Sequence, residues 1–162
     1  MNNKGFTLVE LLATIAILGI LSTITIVTVN SYYEKSKENA VSAFEKNITD
    51  YVESYISMYG SKLTYDNYDT VNKCYILTDT EKCDVVSLKY SIIEFKELER
   101  KDIISGNLVN PSTNVKCEDG NITIYRDSDY VYCFVMEENS CSNKINTCKN
   151  KYKKNGAYIF ND

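Results

Sequence analysis

Residues 4–10 read Lys-Gly-Phe-Thr-Leu-Val-Glu, and they lead directly into residues 11–29, which carry no charged side chain. A helix rises 1.5 Å per residue, so a run of about twenty apolar residues crosses the roughly 30 Å hydrocarbon core of a bilayer. Glu10 is the exception, since apolar residues precede and follow it. A carboxylate inside a membrane segment costs about 2.5–3.5 kcal/mol on insertion scales, so Glu10 indicates a functional site that needs a partner.

Three interpretations of this segment compete. A secretory signal peptide has a shorter apolar region and a small-residue cleavage site, whereas this run is longer and contains no convincing Ala-x-Ala. A plain membrane anchor accounts for the length of the run but gives no role to Glu10 or to the short leader at residues 1–5. The third interpretation uses all of these features together.

The order Gly5, Phe6 and then Glu10 resembles the N-terminal signature of type IV prepilins and type II secretion pseudopilins. The match covers the Gly before the cleavage point, the Phe after it and the Glu at the fifth mature position. The resemblance implies that a prepilin peptidase cuts between Gly5 and Phe6 and methylates the new amine. It also implies three further partners: the membrane before assembly, other pilin subunits, and the assembly platform of a pilus or secretion machine.

After that cut, Glu10 lies one helical turn from the Phe6 amine. The two groups can pair at i, i+4 within one chain, or Glu10 can take the amine of a neighbouring subunit. A lone carboxylate in a low-dielectric bundle is costly, whereas a paired one is tolerated. We therefore expect Glu10 to favour the assembled state and to set its axial register.

Composition excludes several classes of function. The chain has 162 residues and a net charge of −4, which argues against a dedicated nucleic-acid binder. It contains no His, so a Ser-His-Asp triad, a Cys-His dyad and a His-based zinc site are all excluded. The chain contains neither the G-x-x-x-x-G-K-[ST] phosphate-binding loop nor the G-x-G-x-x-G dinucleotide-binding motif. We predict no catalytic residue, no cofactor and no metal, with a cysteine-only metal site as the alternative.

Beyond the apolar run the chain becomes amphipathic, with an apolar stripe at spacings of three and four. The stripe comprises Ala40, Phe44, Ile48, Tyr51, Val52, Tyr55 and Tyr59. Residues 6–59 are therefore predicted to form one helix that ends at a left-handed Gly60. The expected fold class is α+β, with this helix packed on a small antiparallel sheet. The expected divisions are a leader at 1–5, a membrane or filament-core helix at 6–30, its amphipathic half at 31–60 and a globular head at 61–162.

The head pattern predicts a mixture of loops, one short helix and strands. Ser91 and Glu94 have the spacing of a capping box, which predicts a helix from there to about residue 103. A two-residue loop at 127–128 would place Ile124 opposite Val131 in a hairpin. The remaining expectations are loops at 61–72 and 149–154, turns at 79–82 and 110–113, and strands at 73–78, 115–118, 121–126 and 130–136.

Six cysteines in a head that leaves the cytoplasm indicate disulfides, with reduced, buried cysteines as the alternative. Proximity along the chain alone favours three pairs, in descending order: Cys141–Cys148, Cys74–Cys83 and Cys117–Cys133.

The function that the resemblance implies is structural: a type IV pilus subunit whose single-pass precursor carries its head outside the cell. The filament would serve adhesion, motility or surface contact. The alternatives are a pseudopilin of a type II secretion or competence DNA-uptake system, whose filament stays in the envelope, and a membrane-tethered extracellular binding module. Residues 95–135 also resemble the heads of Gram-positive pilin-like proteins.

Overall fold

The computed structural model describes residues 5–77 and 80–161, with the backbone alone at residues 23–28, 76–77 and 80. All of the expected leader except Gly5, and part of the expected turn at 79–82, lie outside the described residues. The chain divides into two compact units, Met1–Ala40 and Val41–Asp162. The first unit is helical, and the second unit contains the remainder of the same helix and the whole sheet.

Helix α1 spans Leu8–Tyr59, which confirms the predicted single helix. Its last turns, which belong to the second unit, pack the stripe from Phe44 onward into the core, with Ile48 and Val52 completely buried, whereas Ala40 is exposed. The prediction that Gly60 is left-handed was wrong, because Gly60 begins a short 3-10 helix, Gly60–Lys62. A Cβ at this position would lie 3.2 Å from Ile56 Cγ2 and 3.3 Å from Tyr132 Cε1. Close packing, and not a positive φ, therefore requires glycine here.

Among the described residues, seven strands form one antiparallel sheet in the order β5-β4-β3-β2-β1-β6-β7. A five-residue helix, α2 (Lys96–Arg100), follows β2. The strands are β1 (Asp66–Leu77), β2 (Thr80–Glu94), β3 (Asn121–Arg126), β4 (Tyr132–Met136), β5 (Ile145–Asn146), β6 (Lys153–Lys154) and β7 (Ala157–Tyr158). The expected α+β class is confirmed.

The longest strands replace several predicted elements. β1 begins at Asp66, inside the segment that was predicted to be a loop. β2 includes the predicted capping box, so the predicted start at Ser91 was wrong, and the helix expected up to about residue 103 is the shorter α2 (Lys96–Arg100). The reason is long-range: Ile93 pairs with Ile122 on β3 and is buried, while its neighbour Ile92 is exposed. This two-residue alternation belongs to a strand, and pairing with β3 overrides the local helix-start signal.

Strand β3 has the predicted bounds, but the hairpin that it forms with β4 has a different register. Ile124 lies opposite Phe134 and not Val131, because a five-residue loop at 127–131 separates the strands. The expected turn at 110–113 is present, with the Asn114 N–H donating to the Asn110 carbonyl at 2.8 Å. The strand predicted at 115–118 is reduced to a single bridge between Val109 and Lys116.

The part of the sheet formed by β3 and β4 is covered on both faces, in keeping with the burial of alternate residues in β3. One face packs on the stripe of α1 and includes Ile122, Ile124, Phe134 and Met136. The opposite face is covered by the C-terminal segment, which contributes Cys148, Tyr152 and Phe160 to a second core. The solvated loop predicted at 149–154 was therefore wrong, because Tyr152 is buried and Lys153–Lys154 form β6.

Candidate functional site

The N-terminal site residues precede and begin α1. Gly5 and Phe6 lie before the helix, and a Cβ added to Gly5 would meet no atom within 4 Å. Phe6 is 82% exposed. The peptide bond between Gly5 and Phe6 therefore lies in an open segment, next to the first turn of a long helix.

Glu10 lies in that first turn and forms a reciprocal capping box with Thr7. Its carboxylate accepts hydrogen bonds from the Thr7 backbone N–H at 2.9 Å and from the Thr7 hydroxyl at 2.8 Å. The Glu10 N–H donates to Thr7 Oγ1 at 3.3 Å. Such a box satisfies two amide groups that a helix start otherwise leaves without partners. Sequence reasoning missed this role of Thr7, although the Thr-x-x-Glu spacing at residues 7–10 carries the signal.

The Phe6 nitrogen is an amide in this uncut chain, so the expected pair between Glu10 and a free Phe6 amine stays a prediction. Around Glu10 the helix surface is apolar and exposed. Its exposed side chains include Leu8, Val9, Leu11, Leu12, Ile15 and Leu18. Judged by length and hydropathy, no helix among the described residues qualifies as a membrane span.

All six cysteines are paired, as Cys74–Cys83, Cys117–Cys141 and Cys133–Cys148. The Cys74–Cys83 pair agrees with the expected one, and the expected Cys117–Cys133 and Cys141–Cys148 pairs were wrong.

The two faces of the sheet explain why the observed cysteine pairs differ from the expected ones. Cys117 and Cys141 belong to the core on the α1 face, whereas Cys133 and Cys148 belong to the core on the opposite face. Either expected pair would have had to pass through the sheet. Proximity along the chain is therefore a poor guide to pairing in this region.

A buried carboxylate links three distant parts of the head. The Asp127 side chain is fully buried, and its Oδ2 accepts from Lys73 Nζ at 3.0 Å and from the Tyr152 hydroxyl at 3.2 Å. Its Oδ1 accepts from the backbone N–H groups of Asp129 and Val131 at 3.0 and 2.9 Å. The sequence carries no signal for this cluster, because Lys73 and Tyr152 come from segments far from Asp127 in the chain.

The charges in this cluster are mutually stabilised. Burial opposes ionisation of Asp127, but hydrogen bonds from Val131 N–H and Lys73 outweigh it and hold the pKa of Asp127 below its ordinary value. Burial likewise opposes charge on Lys73, yet its hydrogen bonds to Tyr75 and Asp127 raise the pKa of Lys73. Burial and the neighbouring Asp127 raise the pKa of Tyr152, which keeps its hydroxyl a donor. The arrangement is that of a structural ion pair.

One set of potential metal ligands occurs among the described residues. The Sγ atoms of Cys74 and Cys83 and a carboxylate oxygen of Glu81 lie within 4.8 Å of one another. Both sulfur atoms are in a disulfide, and thiolates are the form that binds metals. This oxidised cluster therefore offers a metal only the carboxylate of Glu81.

Comparison with known protein families gives a match at the N-terminus. Residues 1–26 match the family model for the prokaryotic N-terminal methylation motif. No curated protein and no solved structure matches the chain. The resemblance of residues 95–135 to Gram-positive pilin-like heads therefore stays a prediction. The motif, at the start of a long helix in an α+β pilin-like fold, identifies the N-terminus of this chain as the signature of type IV pilins and pseudopilins.

Proposed function

We propose that this chain is a structural subunit of a type IV pilus, which polymerises through its N-terminal helices into a surface filament. The observation that carries the proposal is the methylation motif at residues 1–26. The motif implies processing by a prepilin peptidase, membrane anchoring and then assembly with other pilins. The role is structural and not enzymatic.

The exposed side chains of α1 support polymerisation. Fully burying one Leu, Ile or Val side chain contributes about 1.5–3 kcal/mol, and Leu8, Leu11 and Ile15 are each more than half exposed in the single chain. Such a surface needs lipid around it or other helices against it. The proposed division follows: a leader at 1–5, a membrane and filament-core helix at 6–30, its amphipathic continuation at 31–60 and a head at 61–162.

The head supports display outside the cell. Three disulfides in a small domain are typical of oxidising, extracellular locations. A pseudopilin of a secretion or DNA-uptake system shares the same motif, so the two roles differ in where the filament is found. A tethered binding module would not need Glu10 in its apolar run.

The processing step is tested by mass spectrometry of the membrane and filament pools. We expect a chain that begins at Phe6 with a methylated amine, and an intact Met1 or a start beyond Val29 would overturn the proposal. Gly5→Val should block cleavage, because the expected cleavage site has a residue without a side chain immediately before the cut bond. Gly19→Val is the matched control, since a Cβ at Gly19 also meets no atom within 4 Å and this variant should still be cut.

Location separates the remaining roles. The protein should be recovered in filaments sheared from the cell surface, and immunogold labelling should follow those filaments. Labelling confined to the envelope would favour the pseudopilin. A processed protein that never enters a filament fraction would favour the tethered module.

A further inference from the structure

The three disulfides differ in exposure. The sulfur-bearing residues of the pairs Cys117–Cys141 and Cys133–Cys148 are all buried, none of them more than 5% exposed. Cys83 is exposed and Cys74 is half-buried. Thiol–disulfide exchange requires an attacking thiolate to reach a sulfur atom. Access of a thiolate to sulfur therefore favours exchange at Cys74–Cys83 over the two buried pairs.

The exposed pair joins the outer part of the β1–β2 hairpin. Cys74 and Cys83 lie directly opposite each other, with their Cα atoms 4.0 Å apart. β3 pairs with β2 only from Lys89 to Glu94, so it does not cover this part of the hairpin. Ten further paired positions hold β1 to β2 besides the cysteine pair. The strands are therefore expected to stay paired when the bond opens.

A small basic pocket borders Cys74. It has a volume of about 80 Å³ and is lined by Cys74, Glu81, Asn150, Lys151, Lys153 and Tyr158. Lys153 is engaged by Glu81, with Nζ and Oε1 3.0 Å apart. Lys151 is exposed and has no carboxylate within ion-pair distance in the described part of the chain. A cation in this position attracts anions and stabilises a thiolate.

We propose that Cys74–Cys83 is an exchangeable disulfide and that the pocket directs low-molecular-weight anionic thiols to Cys74. The thiolate of the small molecule attacks Cys74 Sγ and forms a mixed disulfide. The Cys74–Cys83 bond breaks, and its electron pair leaves on Cys83 Sγ, which takes a proton from water. A second small thiolate then attacks the small-molecule sulfur of the mixed disulfide, and Cys74 Sγ leaves with the electron pair and takes a proton. Two small thiols are thereby oxidised to one disulfide, and the protein dithiol is formed.

The polarity of the pocket favours exchange over metal binding. A cation entering beside Glu81 would have to displace Lys153 from its ion pair and would meet Lys151. An anionic thiol meets the opposite situation, since no carboxylate of residues 5–77 or 80–161 is paired with Lys151. The exchange tests use the single chain and require no filament, so the proposal is tested separately from the proposed function.

The first test treats the full chain in detergent with glutathione, then alkylates free thiols and maps the peptides. Cys74 and Cys83 should become alkylated while the other four cysteines stay bonded and near-ultraviolet circular dichroism stays native. Opening of a buried pair at the same rate, or a closed Cys74–Cys83 pair throughout, would overturn the proposal.

The second test addresses the pocket with two probes of opposite charge. Lys151→Glu should slow opening by glutathione about three-fold and should not slow opening by cysteamine, which is cationic. Lys149→Glu makes the same charge change at an exposed position outside the pocket and should leave both rates near those of the wild type. Equal effects of the two variants would show that general charge, and not the pocket, governs the rate.

The third test identifies the attacked sulfur. With oxidised glutathione, Cys83→Ser should form a mixed disulfide on Cys74 faster than Cys74→Ser forms one on Cys83. A faster reaction at Cys83 would contradict the assignment, because the pocket borders Cys74.

Discussion

Glu10 has two roles available to it at different stages. In the uncut chain it caps α1 through Thr7. After cleavage a free Phe6 amine would appear one turn away and would offer a full positive charge in place of neutral donors. A charge-assisted hydrogen bond is roughly twice as strong as a neutral one, so cleavage would shift Glu10 from capping its own helix towards the amine.

Replacing Glu10 tests this pairing. Glu10→Ala should insert into the membrane at least as well as the wild type, because a carboxylate costing about 2.5–3.5 kcal/mol there has been removed. The ratio of sheared-filament to membrane-pool protein should fall by about ten-fold when the variant is the only copy, since the amine is left unpaired among packed helices. Glu10→Asp should show a partial loss.

Glu38→Ala is the matched control, since Glu38 is an exposed acid of the same helix outside the motif. Its ratio should match that of the wild type. An unchanged ratio for Glu10→Ala would instead make the membrane-anchor interpretation the better one.

Loss of Asp127 should destabilise the head strongly. Asp127→Ala leaves the half-buried Lys73 without its close partner, and breaking a buried pair costs about 3–5 kcal/mol. Asp129→Ala is the control, because Asp129 lies 3.7 Å from Lys73 and its side chain is 62% exposed. Exposed pairs contribute about 0–1 kcal/mol. Chemical denaturation of the full chain in detergent measures the unfolding free energy of both variants. An equal loss in the two variants would contradict a stabilising role for the buried Asp127 ion pair.

The same carboxylate predicts a dependence on pH. The pKa of Asp127 is lower in the folded chain than its ordinary 3.8. The stabilisation that ionised Asp127 contributes to the folded chain is therefore fully present above its ordinary pKa. This stabilisation is lost as the pH falls from the ordinary pKa towards the lower pKa of the folded chain. The difference in unfolding free energy between the wild type and Asp127→Ala should be constant from pH 7 to pH 5 and shrink at more acidic pH. A difference that grows on acidification would contradict this sign.

The elements of the head are joined by disulfides that close loops of different length. The pairs are separated by 24, 15 and 9 residues for Cys117–Cys141, Cys133–Cys148 and Cys74–Cys83. Loop entropy alone assigns them about 3.4, 3.0 and 2.6 kcal/mol. Burial adds to the stability contributed by Cys117–Cys141 and Cys133–Cys148, since removing either pair also leaves space in a packed core.

The stability lost in the double alanine variants should therefore be largest for Cys117–Cys141, smaller for Cys133–Cys148 and smallest for Cys74–Cys83. The Cys74→Ala, Cys83→Ala protein should be the most stable of the three by thermal denaturation. A hairpin variant as unstable as either buried-pair variant would show that the cross-strand bond holds β1 to β2, contrary to the ladder of paired residues between them.

The whole molecule divides where α1 begins to contribute to the head core. The unit Val41–Asp162 contains its own core, including Ile48, Val52 and Tyr55 from the helix. We expect a protein of residues 41–162 to unfold cooperatively, and a protein of residues 61–162 not to fold. Removing one buried Ile or Leu already costs about 2–5 kcal/mol, and a domain has about 5–15 kcal/mol in total.

Single variants refine that test within residues 41–162. Ile48→Ala should lower the melting temperature strongly, whereas Glu53→Ala, at an exposed position on the same helix, should leave it nearly unchanged. A stable protein of residues 61–162 would show that the sheet and its C-terminal cover suffice without the helix.

Local patterns were enough to predict the features that depend on neighbouring residues. The methylation motif, the continuous helix that ends at Tyr59 and the bounds of β3 follow from spacing, an uninterrupted period and alternation. Even Thr7 carried its capping signal in the sequence. These features are set by interactions within a few residues, so they can be read without knowledge of the fold.

Tertiary structure decided everything that depends on which segments meet. The segment at Ser91 is a strand because β3 pairs with it, and the cysteines pair according to the face of the sheet on which each one lies. The Asp127 cluster joins residues that are 25 and 54 positions away. A one-residue shift in strand register moves every side chain to the other face. Pairing over long distances therefore determined the head, while local sequence determined the helix and the methylation motif at its start.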